Sequence, residues 1–236
     1  MIVMAHRGYS SKAPENTMPA FELALEVGSG GIELDVHLSK DGEIVVIHDS
    51  TLNRTTNGSG PVSELTMAEL RELDAGSWFS PEFKGEKLLT LGQVLELIKN
   101  HDILLNVETK MALGFEQLNE KVAALLDEYA LWERTIISSF NHYALLHFKQ
   151  IRSQARTGIL YNCGMVNPWI YAQSIGASAL HPNHLTIIPE LVAEAQQNGM
   201  MVNVWTVDAS ADIERVKMAG VDSIITNNPE RVQSLL

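Results

Sequence analysis

The run Ile32-Glu33-Leu34-Asp35-Val36-His37-Leu38-Ser39-Lys40-Asp41-Gly42-Glu43-Ile44-Val45-Val46-Ile47-His48-Asp49 decides the fold. Two strand-like stretches, residues 32–38 and 44–47, flank the turn Lys40-Asp41-Gly42. Asp-Gly between two such stretches signals a β-hairpin. A link this short cannot join parallel strands, which need a crossover of roughly a dozen residues. Residues 44–47 are therefore expected to form an antiparallel excursion that carries His48-Asp49 back toward the end of the strand it left.

Removing that excursion leaves eight strand candidates: residues 2–5, 32–36, 104–107, 135–138, 158–161, 179–181, 201–206 and 223–225. Helical periodicity fills most of the gaps, over residues 91–100, 115–129, 143–152, 188–198 and 208–219. Asn16 or Thr17 is placed to cap a first helix with Pro19 in its first turn and Gly28 at its exit. Eight strands alternating with helices predict an α/β fold of the TIM (β/α)₈ barrel type, with an open doubly wound sheet as the rival. The expected organisation is one domain over residues 1–236 with an insertion at 51–88. That insertion holds a capping-box pattern, Thr66-x-x-Glu69, among loop-forming glycines and prolines.

In such a barrel, the carboxyl ends of the strands carry the chemistry. His6-Arg7-Gly8 follows the first strand, and Glu108-Thr109-Lys110 follows the third. Trp205 sits on the seventh. Glu33 and Asp35 stand two apart on the second strand, so both point to one face while Leu34 points to the other. Two inward carboxylates repel each other and are poorly solvated, which a divalent cation relieves. With Glu108 as a third oxygen donor, the set suits a hard ion, Mg²⁺ or Ca²⁺. Singly, each residue has a plainer reading. His6 or His48 can be a hydrogen-bonded strand end, Glu33 and Asp35 a solvated face, Lys110 a partner for Glu108, and Trp205 core packing. Their convergence on one mouth favours chemistry.

The formal net charge of −12 disfavours nucleic acid and anionic membranes, and no Lys/Arg cluster offsets it. One cysteine, Cys163, excludes an intramolecular disulfide and fits a reducing compartment. No basic stretch followed by an apolar run opens the chain, and no apolar run reaches the ~18 residues of a membrane span. A cytoplasmic protein without stable membrane association is expected. Met165, Val166, Pro168 and Trp169 read as an exposed apolar loop through which a homodimer can form.

At these residues the chain closely resembles the glycerophosphodiester phosphodiesterase family. The matching stretches are His6-Arg7-Gly8, Pro14-Glu15-Asn16-Thr17, Ile32-Glu33-Leu34-Asp35-Val36 and Asp41-Gly42 through His48-Asp49. They continue in order with Arg54-Thr55-Thr56, Val107-Glu108-Thr109-Lys110, Ser139-Phe140-Asn141, Val204-Trp205-Thr206-Val207 and Ile225-Thr226-Asn227-x-Pro229. The resemblance implies hydrolysis of small glycerophosphodiesters, such as glycerophosphocholine or glycerophosphoethanolamine, to sn-glycerol 3-phosphate and an alcohol. It implies a divalent metal at Glu33, Asp35 and Glu108, an acid–base pair in His6 and His48, and phosphate contacts from Arg7 and Lys110. Thr109 stands where the family more often has an aliphatic residue. A phospholipase acting on lysolipid and a non-catalytic glycerophosphodiester-binding barrel are the alternatives. Trp78, Phe79 and Phe83 of the insertion are expected to pack among themselves or to flank the leaving alcohol.

Overall fold

A computed structural model describes residues 1–110 and 114–236. The chain opens with β1 (Ile2–His6), α1 (Met18–Glu26), β2 (Gly31–Leu38) and β3 (Ile44–Val46). After α2 (Met67–Glu72) and β4 (Leu89–Thr90) come α3 (Leu91–Ile98), β5 (Leu104–Thr109), α4 (Phe115–Glu128), β6 (Thr135–Ser139), α5 (His142–Ile151) and β7 (Arg156–Tyr161). The remaining elements are α6 (Pro168–Ser174), β8 (Ala179–Pro182), α7 (Pro189–Gln197), β9 (Met201–Val204), α8 (Ser210–Ala219), β10 (Ser223–Thr226) and α9 (Pro229–Leu235).

Eight parallel strands close a ring in the order β1-β2-β5-β6-β7-β8-β9-β10, and β10 pairs back onto β1. This is a TIM barrel. The hairpin behaves as its turn chemistry demands. Gly31 through Val36 of β2 pair with β5, while Val36, His37 and Leu38 also pair antiparallel with β3. β4 then pairs antiparallel with β3, so the segment after the hairpin leaves from β3 and returns beside it. That return strand is only two residues long, and no periodicity marks it in the sequence.

Alternation along β2 divides its side chains. Ile32, Leu34 and Val36 join the main core between barrel and helices, with Phe21, Leu91 and Leu95. Each fully buried side chain of this size contributes roughly 1.5–3 kcal/mol. Glu33 and Asp35 face the bore instead. A smaller core of Val45, Ile47, Leu52, Val62, Met67, Leu70, Ala75 and Leu88 packs the inserted segment against the outer face of β3. Its helix α2 has the anticipated capping box between Thr66 and Glu69.

Three local expectations are corrected. Thr17 stands at the start of α1, but its hydroxyl donates to the carbonyl of Pro14 at 2.6 Å and caps nothing. Asn16 is spent elsewhere, on Asp35. Trp169 is buried, because Pro168 starts α6 there and the first turn brings the indole onto the core, whereas Val166 is almost fully exposed.

Candidate active site

Strand register builds the acidic centre. Glu33 and Asp35 share one face of β2, and Asp35 lies directly beside Glu108 of β5. Oxygens of Glu33, Asp35 and Glu108 all lie within 4.8 Å of one another. Lys110, two residues beyond Glu108, sets its ammonium 3.1 Å from Asp35 Oδ1 and 2.5 Å from Glu108 Oε1. Arg7 contributes a second cation, with Nε 3.2 Å from Asp35 Oδ2. Asn16 donates its amide to the same Oδ2 at 2.9 Å.

These contacts split the three carboxyls. Burial disfavours the charge on Asp35, yet Lys110 and Arg7 outweigh it and hold the group well below the usual carboxylate range. Burial, with Asp35 and Glu108 as like charges, holds Glu33 well above that range. Glu108 is pushed up to about 7, by burial first and by Asp35 second. Two of the three thus resist ionisation, and among the described residues Arg7 and Lys110 are the cations that offset them. An all-oxygen set of clustered, under-compensated carboxylates fits a hard divalent cation.

The local backbone at Arg7 explains how that side chain arrives. Arg7 and Gly8 both adopt left-handed conformations, φ +58° and +79°. The Arg7 amide donates to the Glu33 carbonyl at 2.9 Å and lies 3.0 Å from Glu33 Oε2. A β-carbon on Gly8 would lie 2.6 Å from the backbone of Ala20, so only glycine permits this turn against α1.

His6 ends β1, beside Glu33 in register, with its Nε2 3.9 Å from Glu33 Oε2. Its Nδ1–H donates to Asn227 Oδ1 at 2.7 Å, and Asn227 in turn donates its amide to Asp208 Oδ2 at 2.7 Å. Burial lowers the His6 pKa to about 4. His48 follows β3. Its Nδ1–H donates to Asp49 Oδ1 at 2.6 Å, and its carbonyl accepts from His37 Nε2 at 3.0 Å. Burial also lowers the His48 pKa.

One pocket is lined by His6, Arg7, Glu33, His48, Glu108, Lys110 and Trp205. Asp35 lies beneath it, fully buried, in contact with Arg7 and Lys110. All eight residues singled out from the sequence therefore meet in one place. Trp205 donates its indole N–H to the His181 carbonyl at 2.7 Å and meets Phe140 edge-on, ring centres 5.6 Å apart. Phe140 also lines the pocket. Trp78, Phe79 and Phe83 pack edge-to-face in series, and the first two line a neighbouring hollow with His6 and Arg7. The insertion aromatics thus pack together as expected, and Trp78 and Phe79 also line a hollow beside the histidine pocket.

Sequence alone assigns no individual role in the site to Asn16, His37, Asp49, Asp208 or Asn227. Asn16, Asp49 and Asn227 stand inside the motifs quoted above, the only signal that marked them. Asp208 had none beyond its place at a helix start.

The sequence profile of the Glycerophosphoryl diester phosphodiesterase family matches residues 6–231. A glycerophosphodiester phosphodiesterase of Caldanaerobacter subterraneus subsp. tengcongensis is 48% identical over 236 residues, covering 100% of this chain and 97% of that protein. The structure of an Oleispira antarctica phosphodiesterase, in complex with the product sn-glycerol-3-phosphate, superposes with a TM-score of 0.94 at 30% identity, covering 100% of this chain and 96% of that one. A glycerophosphodiester phosphodiesterase from Agrobacterium tumefaciens gives a TM-score of 0.88 at 30% identity, covering 99% of each chain.

Proposed function

The chain belongs to the glycerophosphoryl diester phosphodiesterase family, and from that premise we propose that it hydrolyses small glycerophosphodiesters to sn-glycerol 3-phosphate and an alcohol. Glycerophosphocholine and glycerophosphoethanolamine are the substrates we expect. One observation carries the reading. Two imidazoles, each oriented through Nδ1, face one pocket beside a three-carboxylate centre and two cations.

Glu33, Asp35 and Glu108 would hold Mg²⁺ or Ca²⁺. A divalent ion there supplies Lewis-acid polarisation of the phosphoryl group. With Nδ1 committed on both rings, each Nε2 is left for proton transfer. One imidazole takes the proton of the nucleophile, and the other, as imidazolium, donates to the leaving alcohol. Arg7 and Lys110 stabilise charge that develops on the phosphoryl oxygens. Trp205 and Phe140 give the glyceryl carbons an apolar wall.

Exposed apolar side chains beside the mouth favour a second reading, a phospholipase acting on lysolipid. Phe140, Tyr143, Val166 and Leu185 lie on the loops or first helical turns after β6, β7 and β8. One experiment addresses both. Chelated protein is assayed on glycerophosphocholine and lysophosphatidylcholine, before and after Mg²⁺ or Ca²⁺ is restored. We expect no turnover in chelator, recovery with metal, and preference for glycerophosphocholine. Full activity in excess chelator removes the metal from the scheme, and preference for the lysolipid moves the assignment to the second reading. No helix among the described residues is long and apolar enough to cross a membrane.

A further inference from the structure

Arg54 stands in the inserted segment and is absent from the pocket that holds both histidines. Its guanidinium forks twice. Nη1 and Nη2 donate to Glu15 Oε2 and Oε1 at 2.7 and 2.8 Å. Nε and Nη2 donate to Asp49 Oδ2 and Oδ1 at 2.8 and 3.0 Å.

Each of those carboxylates then reaches inward. Asp49 Oδ1 accepts from His48 Nδ1 at 2.6 Å, and Glu15 Oε1 accepts from Arg7 Nη1 at 2.8 Å. Four ion pairs therefore run in one chain, from His48 through Asp49, Arg54 and Glu15 to Arg7. Its two ends are an imidazole and a guanidinium that both line the catalytic pocket. They come from unrelated stretches of backbone, the end of the hairpin and the turn after β1.

We propose that Arg54 is a positioning residue for the hydrolysis. It sets the orientation of His48 through Asp49 and that of Arg7 through Glu15, and so fixes the base or acid and the phosphate-binding cation relative to each other. The assignment rests on the two-histidine phosphodiesterase reading above. The role is functional and not merely structural on two grounds. First, Arg54 lies outside the pocket with its side chain 42% exposed, while both ends of the ionic chain it links, His48 and Arg7, line that pocket, so its loss is read at the site. Second, the requirement is geometric. Glu15 and Asp49 are like charges gathered around one planar cation, and each would turn from the other if that cation were lost. A Lys ammonium keeps the charge but is a point donor that cannot fork two carboxylates in fixed planes.

The test compares wild type, Arg54→Ala and Arg54→Lys on glycerophosphocholine with the metal that best supports turnover. Arg54→Ala should lower kcat by about 10- to 100-fold, the range for loss of an orienting partner one step removed from the chemistry. Its melting temperature and metal titration should stay close to wild type. Arg54→Lys should recover only a minor part of kcat. Added guanidinium ion should restore turnover to Arg54→Ala and leave His48→Ala unchanged. The Asp49→Ala/Arg54→Ala double variant should lose less than the sum of the single losses, because both act through His48. Turnover within about twofold of wild type in Arg54→Ala, or full turnover in Arg54→Lys, overturns the assignment. If Arg54→Ala fails to fold, Arg54→Lys, which keeps the charge, decides the question alone. A wild-type protein that leaves glycerophosphocholine intact with either metal overturns the phosphodiesterase reading itself. Wild-type turnover beside an unimpaired Arg54→Lys overturns the Arg54 role alone.

Discussion

His6 and His48 reach one mouth by different backbone routes and are held by different means. His6 ends a barrel strand, its side chain is 14% exposed, and a neutral amide, Asn227, receives its Nδ1–H. His48 lies past a hairpin outside the ring, its side chain is 32% exposed, and a carboxylate, Asp49, receives its Nδ1–H. An amide acceptor fixes tautomer and orientation but, being neutral, favours the charged ring less than a carboxylate does. A carboxylate acceptor fixes both and also stabilises the imidazolium. The pair is therefore chemically asymmetric before any substrate arrives. The more exposed member depends on the ionic chain through Arg54, and the buried member depends on the closure of the barrel.

The largest expected effect treats the two as equals. His6→Ala and His48→Ala should each lower kcat by about 10²–10⁴-fold, the cost of losing an acid–base group, measured by steady-state hydrolysis of glycerophosphocholine. Near-normal turnover in either variant breaks the two-histidine comparison.

A second prediction uses His181, buried in the bore and hydrogen-bonded to Asn203 at 3.0 Å, as a histidine outside both arms. Gly158 leaves it room, since a β-carbon there would sit 2.5 Å from the ring. Burial lowers its pKa from 6.5 to about 3. Between those values the unfolded chain binds the proton and the folded chain does not, so this group's contribution is present above pH ~6.5 and is lost as pH falls toward ~3. The loss is at most about 1.4 kcal/mol per pH unit. His181→Gln should flatten the fall in unfolding free energy between pH 6.5 and 5 relative to wild type. An unchanged slope would show that burial alone does not set the protonation of histidines in this bore, which would weaken the same account of His6.

The smallest effect sharpens the asymmetry. Asn227→Ala removes the neutral hydrogen bond to His6, worth about 1 kcal/mol or roughly fivefold in kcat, together with the contacts of Asn227 to Ser10 and Asp208. Asp49→Ala, which removes a charged partner, should cost more. Equal losses would mean that orientation alone matters at both rings.

Much of this was legible beforehand because the relevant signals are local. Asp41-Gly42 announced the hairpin, and the hairpin removed β3 from the strand count. Alternation put Glu33 and Asp35 on one face, and the ends of β1 and β5 carried His6-Arg7 and Glu108-Thr109-Lys110. Other features resisted. Asn16 looked like a helix cap, but its backbone is left-handed, φ +58°, and its amide serves Asp35. Trp169 looked exposed until α6 turned it inward. Asn227 and Asp208 sit 221 and 202 residues beyond His6 in a chain of 236, so no local window relates them to it.

The sequence by itself determined which faces are apolar, how many strands alternate with helices, and which strand ends are ionisable. These follow from periods of two and 3.6 residues and from turn chemistry, which act over short stretches. Tertiary structure alone decided who holds whom. Closure of β10 on β1 brings Asn227 to His6, and the return of the hairpin brings His48 to the acidic centre. The packing of the inserted segment brings Arg54 between Glu15 and Asp49. Directed hydrogen bonds need placement to within a few tenths of an ångström, and periodicity specifies only a direction.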